Sequence, residues 1–151
     1  MKSILKVVGI LLAIVVVVVA AGALYISADG IPKYPSLVKE PGITIPNDSA
    51  MVMNGERLSS MLCAACHMNS ETGVLSGQYM PDVAIFGKAY SANITQDKKY
   101  GTGSWTDGQL IYFLRTGVKP NGDYAPPWMP KFVHMSDYDL FSIIAWLHSD
   151  D

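Results

Sequence analysis

At 151 residues, half of them apolar, the chain has room for one ordinary domain and an appendage but is cramped for two. Its 11 basic and 13 acidic residues give a net charge of −2 without a block of either sign. That balance argues against a nucleic-acid surface and against a charged disordered tail. The positive mean hydropathy owes much to the first 26 residues.

The first predicted element follows Lys2 and Lys6. Val7 to Ile26 is a run of 20 uncharged residues, 13 of them Val, Ile or Leu, and as a helix it would span about 30 Å, the thickness of a bilayer core. At roughly −0.3 to −0.6 kcal/mol for each branched residue, insertion gains on the order of −4 to −8 kcal/mol as an upper bound. Lysines before the run and none just after it place the N-terminus in the cytoplasm and everything from Ser27 outward. A cleaved signal is the competing reading, because Ala21 to Ala23 has the small-x-small form of a cleavage site; the length of the run favours an anchor. Either way the remainder is exported, and with no cysteine just after the run a lipoprotein is not expected.

Residues 27–47 carry Pro32, Pro35, Pro41 and Pro46 without helical periodicity, which predicts an extended tether after the anchor of residues 1–26. The globular part, residues 48–151, opens with Asn47, Asp48 or Ser49 as N-cap and a helix running into the only two cysteines. Met51, Met53 and Met61 on this helix are expected to fill the core. From Met68 to Trp105 the chain is rich in Gly, Ser, Asn, Tyr and Pro, too long for a structureless loop unless it wraps something large. A middle helix is predicted after Thr106, with Gln109 completing a capping box, Leu110, Ile111, Phe113 and Leu114 as its apolar face and Gly117 as its stop. The last helix follows Ser136, with Leu140, Ile143, Ile144 and Leu147 on one face. No two-residue alternation long enough for a sheet and no internal repeat is present, so the domain is expected to be all-α.

Cys63-Ala64-Ala65-Cys66-His67 is the motif that carries chemistry. A redox disulfide of this spacing belongs in a βαβ setting that the sequence lacks, and a structural zinc would need two more ligands at finger spacing. Covalent haem attachment uses every member: each thiol adds to one porphyrin vinyl group, and the adjacent imidazole of His67 falls under the iron as proximal ligand. For the opposite face, Met129 stands out. It lies 62 residues after His67 in Pro-Pro-Trp-Met-Pro, where prolines stiffen a loop able to cross the ring. Met80, Met135 and His134 are the alternatives, or an open sixth position. His148 falls in the last helical turn, where a histidine complements the helix dipole.

Taken in order, CAACH, SANITQD, GTGSWTDGQLIYFLRTGVKPNGD, PPWMPKF and SDYDLFSIIAWLHS resemble the monohaem class I cytochrome c domains, in particular those repeated in the cytochrome subunits of bacterial membrane-bound alcohol and gluconate dehydrogenases. The resemblance covers roughly residues 50–150 and implies the class I cytochrome c fold around one covalent haem c. It matches Cys63 and Cys66 to the thioether cysteines, His67 to the proximal ligand and Met129 to the distal methionine. Gly55 corresponds to the small residue where the first and last helices cross, with Trp146 opposite. Asn93, Trp105 and Arg115 correspond to positions lining the haem pocket, with Trp105 or Arg115 as a propionate donor; otherwise these three have ordinary turn, core and surface roles. Those dehydrogenase subunits carry three such domains, whereas this chain has one C-x-x-C-H, so a three-haem relay is not expected. Gly101 to Ser104 has the look of a nucleotide loop, but no strand precedes it and a turn is expected. The Asn93 sequon carries no expected function in an exported bacterial protein.

A His/Met iron has no vacancy for a substrate, which leaves outer-sphere transfer of single electrons, at a potential raised by the thioether and by apolar burial. The expectation is therefore a periplasmic electron carrier or electron-transfer subunit, not an enzyme, held to the inner membrane through residues 7–26. Its expected partners are a dehydrogenase or a terminal oxidase, with no nucleic acid and no small-molecule substrate. Lys88, Lys98, Lys99, Lys119 and Lys131 are the residues able to cluster for docking. A haem enzyme or gas sensor with an openable sixth position is the alternative, and a purely structural haem serving assembly is a third reading.

Overall fold

The computed structural model describes residues 2–38 and 42–149; Pro41 of the expected tether and the last two residues of the expected domain lie outside them. Two compact units divide the chain, Met1–Tyr34 and Pro35–Asp151. Among the described residues no strand forms, and extended pairing is limited to two isolated antiparallel bridges, Tyr79 with Tyr90 and Val118 with Tyr124.

In the first unit, α1 runs over Lys2–Asp29, 28 residues exposed along their whole length. At 1.5 Å per residue that is about 42 Å of helix, with a most apolar window of mean hydropathy 3.1. By length and composition it is able to cross a bilayer. The helix ends three residues later than expected, because Ser27, Ala28 and Asp29 do not break it; Gly30 and Pro32 do.

Four helices order the second unit: α2 (Ser49–Leu62), α3 (Ala64–His67), α4 (Asp107–Thr116) and α5 (Asp137–His148). Asp48 is the N-cap of α2, its carboxylate accepting from the amides of Ala50 and Met51 at 3.0 Å each. Thr106 and Gln109 close a full capping box on α4, and Gly117, at φ 80°, ends it in the left-handed conformation that glycine adopts without strain. Ser136 caps α5 through the amide of Asp139 at 3.1 Å.

The core forms where α2 and α5 pack against each other and α4 joins α5. Leu140, Ile143 and Ile144 of α5 are fully buried, against Leu110, Phe113 and Leu114 of α4 and Met51 of α2. Gly55 permits the α2–α5 crossing: a Cβ there would fall inside the carbonyl of Ser142 and 2.7 Å from the Cβ of Trp146. The buried residues of α2 are Met51, Gly55 and Ser59, four apart. Met53 and Met61, expected in the core, are each two positions beyond one of these, about 200° around the helix, and are 70% and 61% exposed.

Two further features differ from the sequence expectation. Within residues 68–105 the chain forms a 3-10 turn, Pro81–Phe86, that periodicity did not reveal. Toward the end of the expected tether, Ile45 is buried in the core, its amide donating to Asp107 Oδ2 at 2.6 Å. The opposite Asp107 oxygen stands 2.9 Å from His148 Nε2, within ion-pair range but outside hydrogen-bond geometry. His148 therefore ends α5 against a carboxylate as well as against the helix carbonyls.

Candidate functional site

The end of α2 delivers the motif. Cys63 closes α2, its amide bonding to the Ser59 carbonyl at 2.8 Å, and at once starts α3, whose single turn sets His67. The amides of Cys66 and His67 both return to the Cys63 carbonyl, at 3.2 and 2.9 Å. Five residues thus present two thiols and an imidazole from one rigid turn. Both cysteines are free, Cys63 buried and Cys66 half-buried. Burial pushes the Cys63 thiol above its ordinary pKa, the neighbouring Cys66 adds to this, and a contact with the Ser59 hydroxyl works the other way. Cys63 is accordingly a neutral thiol at pH 7, not a thiolate.

His67 Nδ1 lies 2.7 Å from the carbonyl oxygen of Ala92. A carbonyl only accepts, so Nδ1 carries the proton, and in the neutral ring the Nε2 lone pair is left as a donor to a metal. Ala92 belongs to the long segment that wraps the site. That segment is fastened at Gly77, whose amide donates to the His67 carbonyl at 2.8 Å, and at Gln96, whose side chain donates to the Leu147 carbonyl at 2.7 Å. The Gly101–Ser104 stretch is a turn closed on Thr95 and Asp97, as expected of it.

Within this frame lies a mostly apolar cleft of about 330 Å³, in the range of small-molecule and cofactor sites. Cys66, His67, Asn93, Trp105 and Met129 all line it. A smaller apolar lobe adjoins it and shares His67 and Met129, with Cys63 in its wall. Met129 is brought to the same cavity as His67 across 62 residues. Met80 lines the larger lobe only, while Met135 and His134 line neither. Trp105 packs edge-on against Phe113 with ring centres 5.3 Å apart. Asn93 spends its carbonyl oxygen on the amide and hydroxyl of Thr95, at 2.8 and 2.7 Å, which turns the backbone along the cleft. At the mouth, Phe86 stacks on Trp128 with centroids 5.8 Å apart. Lys119 also lines the cleft, and Lys99 and Lys131 lie over the rings of Tyr100 and Tyr124, each 4.8 Å from the centroid.

Arg115 is not part of this cavity. It lines a separate pocket with Ile43 and Phe141, and its guanidinium bonds to the carbonyls of Phe132, Val133 and Met135 and to Asp137. Arg115, expected among the positions lining the haem pocket, is half-buried against the segment that follows Met129. Sequence reasoning missed this because acceptors 17 to 20 residues away leave no local signature.

The donor set fits a haem on the structure's own terms. Two free thiols, a tautomer-locked imidazole and a thioether converge on an apolar cleft walled by aromatic rings. A cytochrome c family model matches residues 52–150. The chain is 35% identical over 91 residues to the fructose dehydrogenase cytochrome subunit of Gluconobacter japonicus, covering 58% of this chain and 18% of that one. To the cytochrome c subunit of the quinone alcohol dehydrogenase of Gluconobacter oxydans it is 33% identical over 106 residues, 66% of this chain and 21% of the other. The gluconate 2-dehydrogenase cytochrome c subunit of Pantoea cypripedii shares 33% over 102 residues, 66% of this chain and 23% of its own. The chain thus spans about a fifth of the length of these relatives.

Proposed function

This chain belongs to the cytochrome c family, and from that premise we propose that it carries single electrons through one haem c held by Cys63, Cys66, His67 and Met129. The observation that carries the reading is the His67–Ala92 bond of 2.7 Å, which frees Nε2 in a cleft that Met129 also lines. When bound, the haem supplies a one-electron Fe(III)/Fe(II) couple.

The residues' own parts follow from their chemistry. The thiols of Cys63 and Cys66 are the groups that would add across two vinyl groups to form thioethers, and the α3 turn holds them at fixed separation. The Ala92 carbonyl fixes the tautomer and the ring plane of His67. Met129 supplies a soft sulfur that favours the reduced metal. Trp105, Phe113 and Ile94 exclude water from the cleft, and Asn93 shapes its wall. With His67 and Met129 both given to the iron, a bound haem would have no place for a substrate and would serve single-electron transfer.

The setting follows from α1. A helix of this length and hydropathy is read as a single-pass anchor of the inner membrane, with the haem domain in the periplasm, as the lysines ahead of the apolar run suggest. The named relatives are cytochrome subunits of dehydrogenases, which supports a dehydrogenase as redox partner. Anchoring keeps the domain at high effective concentration beside such partners.

Membrane-purified protein, denatured and run on a gel, is expected to retain a haem stain that Cys63→Ala together with Cys66→Ala abolishes. Ferrous protein is expected to bind carbon monoxide slowly or not at all. Rapid uptake would favour an open sixth position and a sensor or enzyme instead.

A further inference from the structure

We propose that Arg115 is the positioning residue for Met129, suspending the methionine loop from the last turn of α4. The inference rests on the reading of Met129 as the distal iron ligand.

Arg115 Nη1 donates to three carbonyls, Phe132 at 3.0 Å, Val133 at 3.0 Å and Met135 at 2.8 Å, while Nη2 donates to Asp137 Oδ1 at 2.6 Å. Two N–H bonds on Nη1 thus serve three acceptors, an arrangement suited to a planar fork and not to a lysine's point charge. The two ends of this clasp differ. The arginine side chain is 24% exposed, whereas Asp137 is 76% exposed, and of the carbonyl bonds those to Phe132 and Met135 are partly buried while that to Val133 is exposed, so the two sheltered bonds outweigh the wet ion pair.

Backbone bonds mount the loop on the same turn. Phe132 donates its amide to the Leu114 carbonyl at 2.9 Å, and on the other side of Met129 the amide of Ala125 donates to the Gly117 carbonyl at 2.7 Å. Between these two points the loop closes on itself: the amide of Met129 and the ammonium of Lys131 both donate to the Pro126 carbonyl at 3.0 Å. Residues 125–135 therefore hang from Leu114, Arg115 and Gly117. The mount is stiff, because Leu110, Phe113 and Leu114 are buried in the core. Phe132 and Leu114 share one backbone bond and the amide of Met135 returns to the Phe132 carbonyl at 3.3 Å, so the guanidinium adds the bonds that tie residues 132 to 135 to α4 itself.

The test uses the intact holoprotein and the variants Arg115→Met, Arg115→Lys and Asp137→Asn. Three quantities are read: the Met-to-iron charge-transfer band, the rate at which added imidazole displaces the ferric ligand, and amide exchange at Met129, Phe132 and Met135 against that at Cys66, His67 and Met68. For Arg115→Met the expected result is imidazole binding faster by about tenfold, with a matching loss of protection at Phe132 and Met135, the size of losing hydrogen bonds to a charged donor. The Cys66–Met68 amides keep their protection. Arg115→Lys is expected to restore part of both losses, and Asp137→Asn to change the rate by less than about threefold. Parent-like rates and exchange in Arg115→Met overturn the proposal, as does an equal loss of protection on both sides of the cleft, which marks a general stability role. If Arg115→Met accumulates without pigment, Arg115→Lys decides, and parent-like behaviour there overturns it. A parent without the band, or a Met129→Ala protein that keeps it, overturns the ligand reading itself.

Discussion

The two walls of the cleft are built on opposite plans. On the His67 side the donors are local: five consecutive residues, one turn of α3, and a helix that reaches it directly from the α2–α5 crossing, with the Ala92 carbonyl reaching in from 25 residues on to orient the ring. On the Met129 side nothing is local. A loop with no helix of its own is held by bonds to α4 from residues 8 to 20 positions away. The lesson is that one donor is as secure as the core, and the other only as secure as a handful of hydrogen bonds at one helix end. Perturbing the first should cost the fold, and perturbing the second should cost the ligand alone.

The strongest way to break that contrast is at Gly55. Alanine there gains about 1 kcal/mol of helix propensity, but its Cβ falls inside the Ser142 carbonyl, and overpacking of that kind outweighs the gain. Gly55→Ala is expected to destabilise the domain by about 2–4 kcal/mol, read from the denaturant midpoint, and to weaken both walls together. Next comes Met129→Ala. Truncating a partly buried methionine costs on the order of 2 kcal/mol and removes the charge-transfer band and lowers the potential, while the haem stain is retained. Loss of the stain in that variant would contradict the separation of the two walls.

Gly117→Ala sharpens the comparison further. A non-glycine residue at φ 80° costs about 1 kcal/mol, and the new Cβ would meet Lys131 Cε at 2.6 Å. Faster imidazole displacement with unchanged exchange at His67 is the expected signature. The smallest effect concerns Asp139, whose carboxyl is held below its ordinary pKa first by Asn54 of α2 and then by Ser136. A depressed carboxyl stabilises the fold above its unfolded pKa and loses that contribution as pH falls through the folded value. Asp139→Asn should thus narrow the stability difference between pH 7 and pH 3 by a few tenths of a kcal/mol, since the group is exposed. An unchanged acid limb in thermal melts would remove Asp139 as a contributor.

The same contrast explains what could be read from the residues alone. Thr106, Gln109, Gly117 and Ser136 are terminus signals whose partners lie three or four residues away, and each helix end forms where those signals stand. Cys63, Cys66 and His67 are informative for the same reason. Beyond that range the signals fade. The burial of Ile45 depends on Asp107, 62 residues on, and the environment of Arg115 depends on carbonyls, which have no sequence identity. Met53 and Met61 were misplaced by residue type where rotation about α2 decides. The Pro81–Phe86 turn is too short for a period to show.

Ile45 and Asp107 give the stretch just ahead of α2 a mechanical meaning. The chain coming from the direction of α1 is pinned at the first residue of α4, and the methionine loop is slung from the last, ten residues or about 15 Å away. The anchorage of Ile45 and the seating of the Met129 loop therefore share one and the same strut.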